Sequence, residues 1–168
     1  MCTDYQGNTV IAEQFKAAFR RYPTGVAVIS AIGPYGPVGL TASSVASVSV
    51  DPPALSFSAM GTRSALALLE AESFVVNLLG PASADVARHF ASSGGPRFTE
   101  EQGWTFLPTG EPALRHALAS LRATPLHRLP VGDSTVVVAS VHEVFLGPAG
   151  GRLVYHDRQF VEAQGESH

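Results

Sequence analysis

Four groups of residues in the sequence could do chemistry. Gly61-Thr62-Arg63-Ser64 opens the apolar-periodic stretch RSALALLEA, which predicts a helix over Arg63 to Ala71. The unpaired amides and positive dipole end of such a helix, joined by an arginine and two hydroxyls, make an anion site suited to a phosphate. Helix capping by Thr62 is the plainer role for the same residue, and the two are compatible. The run LTASSVASVSV carries Thr41, Ser43, Ser44, Ser47 and Ser49. On one continuous strand Thr41, Ser43, Ser47 and Ser49 share a parity and Ser44 takes the other, which predicts a face of hydroxyls for a phosphate, for the polar rim of a heterocycle, or for solvent. Asn77 is the polar side chain of the apolar strand FVVNLL. A buried amide must find backbone or ligand partners, because leaving it unpaired costs about 1–3 kcal/mol. His156 ends the strand RLVYH, where it could reach a pocket mouth or stand as a surface imidazole.

Other chemistries lack their residues. His89, His116, His127, His142, His156 and His168 show no HExxH spacing and no cysteine companion, so no zinc site is expected. There is no GxSxG elbow, P-loop or GxGxxG fingerprint, and Gly33, Gly36 and Gly39 fall in a strand-to-strand loop. Cys2 lies beside Asp4, without the electropositive niche that activates a thiol.

The elements that must position these residues follow from periodicity. Phe15, Ala18, Phe19 and Tyr22 have helical spacing, which predicts an opening helix over Glu13 to Tyr22, stopped before Pro23, with its apolar stripe on a sheet. TGVAVISA and LTASSVASVSV read as a hairpin around the loop GPYGPVG, and after Asp51-Pro52-Pro53 the segment ALSFSA is a third strand with Leu55 and Phe57 on one face. FVVNLL is followed by a helix from Ser83 to Ala91 that Ser83 could cap. Ser92 to Pro112 is rich in loop residues. Alternation returns in ALASLRATPLHRL, in STVVVASVHEVFL and in a last strand RLVYH, joined by a Val-Gly-Asp turn and by GPAGG. Seven or so strands with three short helices predict a mainly β, α+β domain, a closed or nearly closed antiparallel barrel with helical covers.

Composition bounds the partners. The 168 residues are one domain's worth, with 1–10 expected to be flexible and 163–168 a tail, and a chain of this length buries a full core without disulfides. Fourteen acidic residues face one lysine and ten scattered arginines, a net charge of −3, so nucleic acid is not an expected partner. The longest uncharged stretch, Tyr22 to Val50, is broken by Pro, Gly, Thr and Ser and cannot span a membrane as a helix. A single cysteine and no visible signal peptide fit the cytoplasm. Charged residues make up only 15%, which leaves apolar surface for a partner subunit.

The order FRRYPTGVAVISA, GLTASSVASVSVDPPALSFS, GTRSALALL, FVVNLL, VARHFAS with a later RF, and LVYH resembles the flavin reductase-like family, the short-chain reductases that supply reduced flavin to two-component monooxygenases. The resemblance runs from about Phe19 to Phe160. It implies a split β-barrel homodimer with short covering helices, binding FMN or FAD beside the dimer interface and taking a hydride from NADH or NADPH, with a flavin-dependent monooxygenase as a possible partner. Carried over, Pro23, Thr24, Gly25 and Val26 with Thr41, Ala42, Ser43 and Ser44 would line the ring and ribityl chain, and Ser47 would lie near that chain. Thr62, Arg63 and Ser64 would hold the phosphate, Asn77 and Leu78 would support the rim of the ring, Phe98 would cover the cleft, and His156 would approach the nicotinamide as the catalytic residue. The alternatives are an FMN-binding electron carrier or sensor on the same barrel without reductase turnover, and a related oxidase or heme-binding barrel.

Overall fold

The computed structural model describes residues 4–163. Cys2 and His168 therefore lie outside the described residues. The chain begins with helix α1, Asp4–Arg20, which starts inside the segment expected to be flexible and ends before Pro23. Its apolar stripe does not pack on a sheet as expected: Phe15 is 62% exposed, Phe19 58% and Tyr22 63%. Helical spacing marks a face that gains from cover but does not say which surface covers it.

The main sheet has seven antiparallel strands in the order β2-β1-β5-β8-β9-β4-β3. They are β1 Ala27–Gly33, β2 Gly36–Ala42, β3 Ala46–Val50, β4 Pro53–Met60, β5 Phe74–Leu78, β8 Ala119–Val131 and β9 Ser134–Leu146. Between them lie helix α2, Arg63–Glu70, helix α3, Ala84–Ala91, and the small hairpin of β6 Trp104–Phe106 and β7 Pro112–Leu114. A second hairpin, β10 Arg152–His156 with β11 Gln159–Ala163, follows the main sheet, so RLVYH is the penultimate strand and not the last. Among the described residues the helices are too short or too polar to cross a membrane.

Two sequence expectations change here. The segment GPYGPVG is mostly strand, since β2 begins at Gly36 and pairs with β1 from Gly33↔Gly36 to Ala27↔Ala42. The run LTASSVASVSV is two strands broken at Ser43-Ser44-Val45, and β2 and β3 form opposite edges of the main sheet. Thr41 and Ser43 thus do not share a strand face with Ser47 and Ser49. No hydrogen-bonded ladder joins β2 to β3 among the described residues, so the sheet is open at those edges.

Two apolar clusters hold the layers together. Ile29, Phe57, Leu68, Phe74, Val76 and Val137 belong to the larger one, in which the rings of Phe57 and Phe74 meet edge to face at 5.4 Å. Val28, Val86, Phe90, Trp104, Leu114 and Leu153 belong to the other, between β1 and the α3, β6–β7 and β10 layer. Adjacent residues Val28 and Ile29 face opposite clusters, which is why β1 is apolar on both faces. Leu55 and Phe57 are both buried, at 4% and 1% exposure, on the face the alternation of β4 predicts.

A buried polar bracket ties the clusters to the strands. Asn77 is fully buried on β5. Its Nδ2 donates to Val28 O at 2.9 Å and to Ser30 Oγ at 3.0 Å, and its Oδ1 accepts from Leu114 N at 2.9 Å and from Ser120 Oγ at 3.0 Å. This one side chain joins β1, β5, β7 and β8. Glu111, just before β7, is also buried. It accepts from Ser73 Oγ and Arg122 Nε at 2.5 and 2.9 Å and from Thr109 Oγ1.

The candidate cofactor cleft

Helix α2 starts where the sequence places it, because Thr62 Oγ1 accepts from Ala65 N at 3.2 Å and caps the first turn. The first-turn amides that a helix cannot pair internally are then those of Arg63 and Ser64. Ser83 flanks α3 but makes no side-chain cap, contrary to expectation; it is buried as the last residue of a 3-10 turn over Pro81–Ser83. Helix α3 is instead held to β2 by Thr41 Oγ1, which donates to Ala87 O at 2.9 Å.

Between these elements lies a cleft of about 710 Å³. The end of β2 and the bend after it, from Gly39 to Ser44, line it together with Thr62, Arg63 and Ser64 of α2. Leu40, Ala59 and Phe90 give it apolar walls, and Tyr155 and Phe160, paired across β10 and β11 with rings 5.3 Å apart, line it as well. Thr41, Ala42, Ser43, Ser44, Thr62, Arg63, Ser64 and Val26 are thus brought to one hollow. The hydroxyls there are not all free. Besides Thr41, Ser44 Oγ accepts from Ser58 N at 2.9 Å, which pins the bend after β2 to β4.

The remaining sequence candidates lie outside the cleft lining. Pro23, Thr24 and Gly25 link α1 to β1, and Thr24 forms a bridge with Tyr155 through two backbone bonds of 3.0 and 2.9 Å. Thr24 Oγ1 is buried and has no hydrogen-bond partner. Ser47 stands exposed on β3 at the far edge of the sheet. Asn77 spends its amide inside the protein, as described, and Leu78 is half-buried against the larger core. Phe98 packs against Phe90 and Trp104 at ring distances of 5.0 and 4.8 Å. His156 is exposed at the end of β10, next to the cleft residue Tyr155.

Sequence reasoning missed Gly39, Phe90, Arg97, Tyr155 and Phe160, all of which line the cleft. Arg97 precedes Phe98 and Tyr155 precedes His156, so each is the neighbour of a residue the sequence does single out. Gly39 gave no signal while it was read as part of a loop.

The donor chemistry of the cleft suits an amphiphilic phosphate ester. One end offers a cation, two hydroxyls and helix amides, while the walls are apolar and aromatic. A volume of about 710 Å³ falls within the roughly 300–1,000 Å³ of ordinary cofactor pockets. Compared with known proteins, residues 19–164 match the family described as the flavin reductase like domain. The chain belongs to that family. A flavin reductase family relative, the NADH:FMN oxidoreductase of Rhodococcus qingshengii, is 39% identical over 156 residues, covering 90% of this chain and 81% of the relative. The reductase component of 4-hydroxyphenylacetate 3-monooxygenase from Thermus thermophilus is 35% identical, over 88% of this chain and 94% of the relative. Among solved structures, the Streptomyces globisporus C-1027 NADH:FAD oxidoreductase SgcE6 in complex with NAD and FAD fragments superposes with a TM-score of 0.83 at 26% identity, covering 94% of this chain and 95% of that one.

Proposed function

We propose that this chain is an NAD(P)H-dependent flavin reductase that binds FMN or FAD in the cleft and supplies reduced flavin to a partner monooxygenase. The observation that carries this reading is the convergence of Thr41–Ser44 and Thr62–Ser64 on one hollow. Arg63 and the amides at the start of α2 would hold the flavin phosphate, with the helix dipole adding to the attraction. The bend from Ala42 to Ser44 would lie along the polar rim of the ring, with the Ser44 hydroxyl fixed by Ser58. Leu40, Ala59 and Phe90 would cover apolar ring surface and exclude water from it. When bound, the flavin supplies the hydride-accepting chemistry that no side chain in the cleft provides. The residues of the cleft therefore act by binding and orienting two flat rings, and none has to serve as a proton shuttle. His156, exposed beside the cleft residue Tyr155, would orient the nicotinamide.

The same reading extends to architecture and location. The main sheet curls around the larger core until β2 and β4 touch, which supports a split β-barrel. Exposed apolar side chains on the β8–β9 hairpin, Leu129 at 60%, Val131 at 58% and Leu146 at 84%, support a homodimer. The single cysteine supports a cytoplasmic setting.

Steady-state oxidation of NADH and of NADPH, each with FMN and with FAD, tests the proposal. Flavin-dependent consumption of at least one nicotinamide is expected. Tight flavin binding without such consumption would favour an electron carrier or sensor instead.

A further inference from the structure

Arg97 lies in the segment after α3 and lines the same cleft as Arg63 from a different element. Its guanidinium stands over the Phe90 ring, with Cζ 5.1 Å from the centroid. Its Nη2 donates to Ser92 O at 2.9 Å and to Phe90 O at 3.4 Å. These contacts suit a cation at the carbonyl end of a helix. They do not exhaust the side chain. A guanidinium carries five N–H donors, both bonds leave from Nη2, and Nε and Nη1 stand outside them. Nor is the charge neutralised by a carboxylate: the side-chain ion pairs among the described residues are Lys16–Glu13, Arg88–Asp85 and Arg122–Glu111. A half-buried guanidinium fixed by an aromatic face and two carbonyls, with donors to spare in a cleft, is organised in advance to take an anion.

On the proposed reading the flavin phosphate has its cation in Arg63. We propose that Arg97 binds a second phosphate, the one that carries the adenosine of a dinucleotide, so that the cleft holds two phosphate-binding arginines on two elements. This inference rests on the flavin reductase reading. Two dinucleotides bear the required group, FAD and the nicotinamide hydride donor, and titration separates them.

The full chain and its R97Q and R97K variants are titrated by calorimetry with riboflavin, FMN, FAD, NAD⁺ and ADP-ribose, with thermal melting as a check on folding. R97Q is expected to bind riboflavin and FMN within about twofold of the wild type and to lose on the order of tenfold in dinucleotide affinity. Loss with FAD assigns the phosphate to the flavin, and loss with NAD⁺ and ADP-ribose assigns it to the hydride donor; either outcome supports the proposal. R97K, which keeps the charge without the planar fork, is expected to fall between wild type and R97Q, and it carries the same comparison if R97Q does not fold. Equal weakening of riboflavin, FMN and dinucleotides would reduce Arg97 to a brace for the loop and overturn the proposal. So would a loss confined to FMN, or no loss at all. Wild-type protein that takes up no flavin would overturn the underlying reading and this inference with it, whereas normal wild-type binding with an unselective R97Q would overturn this inference alone.

Discussion

A β-carbon at Gly39 would stand 2.7 Å from Cε1 of Phe90, closer than side chains tolerate, so the ring of α3 rests on β2 where only glycine leaves room. The carbonyl of Ile29, 3.1 Å from the same point, blocks retreat toward β1. Gly39→Ala must therefore displace the Phe90 ring, which is itself a wall of the cleft. The expected result is a loss of about 1–3 kcal/mol in stability, the usual cost of overpacking, together with weaker FMN binding. Denaturant unfolding and FMN fluorescence titration measure the two effects, and an unchanged flavin affinity would separate Phe90 from the site.

Arg63 is exposed, so its contribution to phosphate binding is moderated by solvent. Arg63→Ala should weaken FMN by about tenfold while leaving riboflavin, which has no phosphate, nearly unchanged. Parallel titrations with the two flavins decide it. Equal effects on both would move the phosphate away from α2.

Asn77 offers a different outcome. Its amide satisfies a buried backbone amide at Leu114 and two buried hydroxyls, Ser30 and Ser120. Asn77→Ala leaves the Leu114 amide and the Ser120 hydroxyl unpaired in the core, while Ser30 keeps its bond to Pro112 O at 2.7 Å, at an expected cost of about 2–4 kcal/mol and a fall in Tm of roughly 5–15 °C. Flavin affinity measured well below the lowered Tm should change little, because the side chain has no donor or acceptor left for a ligand.

Glu111 makes stability depend on acid. Burial alone would raise its pKa, but the hydroxyls of Ser73 and Thr109, its own backbone amide and the Arg122 guanidinium outweigh burial and lower it to about 2. Its folded pKa is thus below its unfolded value, so its stabilisation is fully present above about pH 4.5 and is lost as pH falls toward 2. Glu111→Gln should be less stable than wild type near neutrality, by on the order of 2–3 kcal/mol, with the gap narrowing below pH 4.5. Melting curves across that range measure it, and a gap independent of pH would assign the loss to packing.

The exposed apolar side chains Leu129 and Val131 near the turn of the β8–β9 hairpin predict self-association. Sedimentation should give twice the chain mass, and Leu129→Glu, which puts a charge into the proposed interface, should shift the protein toward monomer at micromolar concentration. A monomeric wild type would remove the dimer from the account.

Much of this was legible in the residues. Apolar, β-branched-rich composition marked β9 from Ser134 to Leu146 and β10 from Arg152 to His156, and the capping pattern at Thr62 marked the start of α2. The break at Ser43-Ser44 was not legible, because a period of two continues through a bend and does not show that β3 leaves one edge of the sheet for the other. The strand β11 was missed because its entry turn uses Asp157 and Arg158 at φ 50° and 61°, where glycine or asparagine would have signalled a hairpin. In the cleft, residues that carry hydroxyls or stand at a helix start could be named in advance, whereas Phe90 and Phe160 enter only through packing that joins distant segments.

The central claim is that one hollow between β2 and α2 receives a flavin with its phosphate at the start of that helix. A crystal structure of the chain soaked with FMN tests it most directly. The account predicts the phosphate within hydrogen-bonding distance of Arg63 and Ser64 and the ring system against Ala42 to Ser44. A flavin bound elsewhere on the chain, with these residues facing only water, would contradict it.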